Sequence, residues 1–321
     1  MRGAERSPRV GLERRARNFG KLQLRRLFEV GQRAGVDILP RHFYSSVPDI
    51  RALRRDGGWK LPHSMVGVRG ADVDQQLREL RSWCTDTVRA RLEQGNVWTR
   101  ACEQHGEAGY GPIDADVLWA FVATRRPARI VQVGAGVSTA VILDAADSVG
   151  YEPEIVCVDP FPTTYLTRLA DSGRIRQVAE PAQSVALDVL TDVGDGGLLF
   201  VDSTHAVRPG SEVNRIVLEV LPRLADGSWV HFHDITLPFN YQRGLMSTEL
   251  FFSSESTLLH AYLVQNDHCR LEVALSMLHH ARPAELRRTL PNYRAEPSDQ
   301  GLRREFEPGT QFPSAAYLRV G

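Results

Sequence analysis

Lysine is almost missing from this chain of 321 residues: Lys21 and Lys60 are the only two, and arginine supplies the remaining positive charge. The scarcity removes most chemistry built on a lysine amine, and we read the skew as the mark of a GC-rich genome. Cysteine is scarce too. Cys84, Cys102, Cys157 and Cys269 stand far apart with no CxxC pair, which argues against a zinc cage or a disulfide framework and suits a reducing compartment. The net charge is zero, so no global field draws the chain to nucleic acid or to a membrane surface. No apolar run approaches the ~20 residues that cross a bilayer. The Arg-rich start carries no apolar secretory stretch. A soluble cytoplasmic protein, with neither a nucleic-acid partner nor a membrane span, is the expectation.

What is present suits a globular fold, with 42% hydrophobic and 24% charged residues. Residues 1–34 carry ten basic and three acidic side chains around Leu22, Leu24, Leu27, Phe28 and Val30, the pattern of a solvated amphipathic helix. The stretch 40–70 is rich in Pro, Gly and aromatics and reads as loop. A single helix is predicted over about 71–94, from Val73, Leu77, Leu80, Cys84, Val88 and Leu92 at spacings of three and four. Another starts near Asp116 and stops before Pro127.

From Arg129 the texture changes. Short apolar runs at 129–133, 154–158, 174–178, 197–201 and 228–232 alternate with helical patterns at about 138–148, 163–171, 182–191 and 211–221. Runs of this kind are strands buried on both faces, and the alternation predicts a parallel sheet flanked by helices. Further runs at 270–275 and 315–320 bring the sheet to seven strands. We therefore expect an α/β, Rossmann-like domain over 111–321 behind a mostly helical N-terminal extension over 1–110.

In such sheets ligands bind beyond the carboxyl ends of the strands. The first strand ends in Gly134-Ala135-Gly136-Val137-Ser138-Thr139; glycine lets backbone approach a ligand, and Ser138 or Thr139 can cap the next helix. The second ends at Asp159, where a carboxylate suits the ribose hydroxyls of an adenosine group; the alternative is an aspartate capping the turn before Pro160. Thr139 stands where a dinucleotide fingerprint wants Gly or Ala, and no Tyr-x-x-x-Lys pair occurs, so S-adenosylmethionine is favoured over NAD. The fourth strand ends in Asp202-Ser203-Thr204-His205 and the fifth in His231-Phe232-His233-Asp234. These neighbours bring carboxylates and imidazoles to one crevice. Histidine suits proton removal near neutral pH, and carboxylates with one imidazole suit a divalent ion such as magnesium or manganese. His231, two residues deeper, reads as a core histidine, and Cys157 as a core residue. The competing reading is a structural hydrogen-bond network at the strand ends.

These motifs resemble those of class I S-adenosylmethionine-dependent methyltransferases, most closely a bacterial methyltransferase 24-like group with the forms V-G-x-G-x-S-T, D-P-x-P, I-D-S-S-H and V-H-x-H-D-I. Here they stand as VGAGVST at 133–139, VDPFP at 158–162, VDSTH at 201–205 and VHFHDI at 230–235, with LPRL at 221–224, LPFNY at 237–241 and HFYSSVPDI at 42–50 in keeping. The resemblance implies that Gly134, Ala135, Gly136, Ser138 and Asp159 hold the cofactor, with Glu180 near the adenine. Gln132 replaces an acidic residue that helps hold the methionine end, and Ser254-Glu255-Ser256-Thr257 keeps only the glutamate of the family's segment there. A second comparison, the catechol O-methyltransferase branch, implies Asp202 as first metal ligand, His233 and Asp234 as the following pair, and His205 in place of the basic lysine. The implied activity is O-methylation of a small polar acceptor such as a sugar or secondary metabolite, with His205 as base and Asp202 orienting the acceptor. A small-molecule acceptor and a homo-oligomer are the partners expected. An NAD-dependent oxidoreductase and a catalytically degenerate binding protein are the alternatives.

Overall fold

A computed structural model describes residues 23–239, 252–295 and 311–321. The chain divides into two compact units, Met1–Asp49 and Ile50–Gly321. In the first, 23–33 are helical; residues 1–22 of the amphipathic stretch lie outside the described residues, as do 240 and 241 of LPFNY.

The second unit is built on seven strands: β1 Arg129–Val133, β2 Glu154–Val158, β3 Arg176–Val178, β4 Leu198–Val201, β5 Trp229–Phe232, β6 Cys269–Ala274 and β7 Ala316–Val320. Their order is β3-β2-β1-β4-β5-β7-β6. The strands from β3 to β5 pair in parallel, and β7 runs antiparallel to both β5 and β6. The order in which strands are added reverses at β1, whose neighbours are β2 and β4, the place where open α/β sheets bind ligands beyond the strand ends.

Helices cover both faces. Those that matter here are α1 Ile50–Arg55, α2 Val73–Trp83, α3 Asp86–Gln94, α4 Val97–His105, α5 Pro112–Arg125, α6 Val137–Val149, α7 Thr164–Asp171, α8 Leu187–Thr191, α9 Glu212–Arg215, α10 Glu255–Leu263, α11 Leu275–Ala281 and α12 Pro283–Thr289. One face packs on α2 to α7 around Trp83, Phe121, Trp229 and Tyr317, with the Trp83–Tyr317 centroids 4.9 Å apart. The other packs on α8, the helical turn Ile216–Val220 and α10 through Val131, Val133, Leu199, Val201, Val230 and Phe232. Alternate residues of β1, β4 and β5 thus serve opposite cores, which is why those strands are largely apolar, Gln132 and His231 being buried exceptions. Residues 50–110, expected with the N-terminal extension, belong to the same unit as the sheet.

Three sequence expectations change in detail. The helix predicted over 71–94 is two, α2 and α3, because Thr85 stops one and caps the next, its hydroxyl accepting from Val88 N at 3.3 Å. The loop predicted over 40–70 contains α1 and a short turn of helix at Gly58–Lys60. The pattern over 182–191 forms helix only from Leu187. Among the described residues no helix is long and apolar enough to cross a membrane.

Candidate functional site

Backbone hydrogen bonds join the strand ends into one edge. Gly134 N donates to Val158 O at 3.0 Å, Asp159 N to Val178 O at 3.1 Å, Asp202 N to Val133 O at 2.9 Å and His233 N to Val201 O at 2.9 Å. The glycine turn, Asp159, Asp202 and the His233-Asp234 step therefore sit side by side along the carboxyl ends of β1, β2, β4 and β5.

Gly134 has φ +80°, and a Cβ there would overlap the carbonyl oxygen of Asp202; only glycine fits. Ala135 N donates to Asp159 Oδ2 at 3.2 Å and Phe161 N to its Oδ1 at 2.8 Å, so the aspartate fastens β2 to the turn as well as facing the edge. Gly136 N donates to Thr139 Oγ1 at 3.2 Å, closing the first turn of α6. Ser138 does not cap. It is nearly buried and accepts from Gln132 Nε2 at 3.3 Å. Gln132 is fully buried, its amide oxygen accepting weakly from the Cys157 thiol at 3.7 Å, and it braces the turn from beneath. Burial pushes the Cys157 thiol up to about 12, as expected of a core residue. Phe161 is 86% exposed beside Asp159, and Glu180 lies exposed two positions past β3.

The acid–imidazole cluster is denser than the sequence suggested. His205 Nδ1 lies 2.6 Å from Glu255 Oε2, while its Nε2 faces Asp202 Oδ1 at 3.6 Å and Asp234 Oδ2 at 3.8 Å. His233 Nδ1 lies 3.3 Å from Asp202 Oδ1, and its Nε2 is 3.3 Å from Asp114 Oδ2. Asp114, fully buried on α5, also accepts from Gln311 Nε2 at 2.5 Å and Ser314 N at 3.3 Å. Ser314 Oγ in turn donates to Asp234 Oδ1 at 2.9 Å. Tyr110 stacks over His233 with centroids 4.5 Å apart, and its hydroxyl meets His231 Nε2 at 3.2 Å. His231 stacks on Phe200 at 4.4 Å and is fully buried, a core histidine whose burial and proximity to His233 push its pKa well below the ordinary value.

Charge in the cluster follows from these contacts. Burial alone would lower the pKa of His205, yet the carboxylates of Asp202 and Glu255, which accept from its ring N–H groups, raise it to about 10. His233 is raised well above its usual value by Asp234 and Asp202 against the same burial cost. Burial would raise Asp202, but the two imidazoles hold it well below the usual carboxylate range.

In this arrangement the residues expected to hold a metal are engaged with one another and with their neighbours. A cation needs Asp202, His233 and Asp234 to converge with free lone pairs. Instead both His233 nitrogens are turned to carboxylates and Asp234 accepts from Ser314. Among the described residues no three His, Cys, Asp or Glu side chains are disposed to hold a metal ion.

Residues 131–235, from β1 through the His233-Asp234 step, match a family described as "Methyltransferase domain". Over that part of its length the chain is similar to methyltransferase domains. An uncharacterized protein of Archaeoglobus fulgidus is 26% identical to this chain over 165 residues, 49% of this chain and 74% of its own length. An SAH-bound methyltransferase of Podospora anserina is 15% identical, covering 89% of this chain and 99% of its own, with a TM-score of 0.38. An O-methyltransferase of Streptomyces achromogenes involved in tomaymycin synthesis, solved with SAM, is 14% identical over 55% of this chain and 81% of its own, with a TM-score of 0.39.

Sequence reasoning missed Asp114, Tyr110 and Ser314. Asp114 carried a signal, a carboxylate inside the apolar run of α5, and such a group is buried only with partners. Glu255 was visible as the surviving glutamate of its segment. Its partner, fifty positions away, was not.

Proposed function

We propose that the protein is an S-adenosylmethionine-dependent methyltransferase that acts on a hydroxyl of a small polar acceptor. One observation carries the reading: His205 Nε2 stands between Asp202 and Asp234 at 3.6 and 3.8 Å, on a strand end hydrogen-bonded to the glycine turn. A hydroxyl oxygen becomes a good nucleophile only as its proton leaves, and an imidazole nitrogen at this place can receive that proton.

The residues at the turn fit the cofactor. Backbone freed by Gly134 and Gly136 can approach it closely, Asp159 suits the ribose hydroxyls, and Phe161 and Glu180 flank the adenine place. Gln132 and Ser138 hold the turn in shape from below. S-adenosylmethionine, when bound, supplies an electrophilic methyl group and a positive charge. A positive charge beside Asp202 disfavours the imidazolium form of His205 and so frees Nε2. Asp202 and Asp234, with side chains 27% and 47% exposed, orient the acceptor by accepting from its hydroxyls. Holding nucleophile and methyl in line accounts for much of the rate.

The test is incubation with methyl-labelled S-adenosylmethionine and a panel of phenols, sugars and hydroxylated amides, read by mass spectrometry. Label on an acceptor oxygen, lost with His205→Ala, supports the reading. Label found only on nitrogen or carbon contradicts it.

A further inference from the structure

Glu255 opens α10 and is 1% exposed. An acid in the first turn of a helix needs no burial to favour the helix dipole, and burying a carboxylate is costly without a partner. The partner is His205, whose Nδ1 lies 2.6 Å from Glu255 Oε2. The same segment also grips the His205 backbone, with Ser253 Oγ donating to His205 O at 2.8 Å and Ser254 N to the same oxygen at 3.3 Å. His205 itself sits at φ +56°, a left-handed conformation that is uncommon outside glycine and persists where surroundings enforce it.

The two ring nitrogens are held unequally. Nδ1 makes one short contact to a buried carboxylate, whereas Nε2 faces Asp202 and Asp234 at 3.6 and 3.8 Å. We propose that Glu255 is a positioning residue: it keeps the proton of His205 on Nδ1 and turns Nε2 to the acceptor, making Nε2 the atom that exchanges the acceptor's proton. The inference rests on the reading of His205 as proton acceptor. The step balances simply: the acceptor O–H bond breaks as N–H forms at Nε2, and the Nδ1 proton stays with the ring throughout.

The experiment is NMR of histidine-labelled protein, wild type against Glu255→Gln and Glu255→Asp, with the His205 ring signals assigned by their loss in His205→Gln. The wild type is expected to show a downfield, slowly exchanging Nδ1 proton. In Glu255→Gln its exchange accelerates about tenfold or more, the loss of one hydrogen bond to a charged group, and Glu255→Asp recovers part of the protection. If the Gln variant does not fold, weakened protection in the Asp variant is the supporting result. Unchanged exchange and unchanged His205 signals in the folded variants overturn the proposal. S-adenosylhomocysteine titrated into the wild type judges the methyltransferase reading separately, since its failure to bind would leave the NMR result for Glu255 intact.

Discussion

Gly134 and Asp202 are packed back to back: any Cβ on the glycine would overlap the aspartate's carbonyl oxygen. The bend proposed to admit the cofactor and the strand end that carries the acid–imidazole cluster are thereby locked in one geometry.

Gly134→Ala should therefore cost more than backbone strain. Positive φ and overpacking together predict a loss of roughly 2–4 kcal/mol. Gly150 is the control, because it also has positive φ, +66°, but nothing lies within 4 Å of its missing Cβ; Gly150→Ala should lose about 1 kcal/mol. Urea denaturation of the two variants checks the difference, and equal losses would refute the steric argument.

Stability should fall on the alkaline side. His205 rises from an ordinary 6.5 to about 10 on folding, so its stabilisation is complete below about 6.5 and disappears as the pH climbs through 10. His205→Gln should flatten that slope. Denaturation midpoints collected across this range provide the check, and parallel curves for the two proteins would count against it.

Chelation should not matter. With His233 turned between Asp202 and Asp114, magnesium or manganese has no preformed cage, so neither should raise the melting temperature and EDTA should leave methyl transfer intact. A metal-dependent rise in melting temperature would restore the ligand set Asp202, His233 and Asp234.

Much of this layout could be read from the sequence, for a physical reason. Strands buried on both faces leave uninterrupted apolar runs, and the turn after β1 demands Gly134 sterically, so both leave local marks. Thr85 interrupts a continuous apolar stripe because capping chemistry acts at one residue while amphipathic periodicity averages over many. The contacts of the cluster left fainter marks. Asp114, Glu255 and Ser314 meet His233, His205 and Asp234 only through the sheet's topology, and no local pattern encodes that β7 returns beside β5. The role of Gln132 was displaced likewise: its place before the glycines is visible, but its fully buried side chain, facing Ser138 beneath the turn, is a property of packing.

Calorimetric titration with S-adenosylhomocysteine, comparing the wild type with Asp159→Ala, addresses the heart of the account. Binding by the wild type, roughly tenfold or more weaker in the variant for loss of charge-assisted hydrogen bonds, and no heat with NAD, is the predicted result. Tight binding of NAD with none of S-adenosylmethionine or S-adenosylhomocysteine would contradict it.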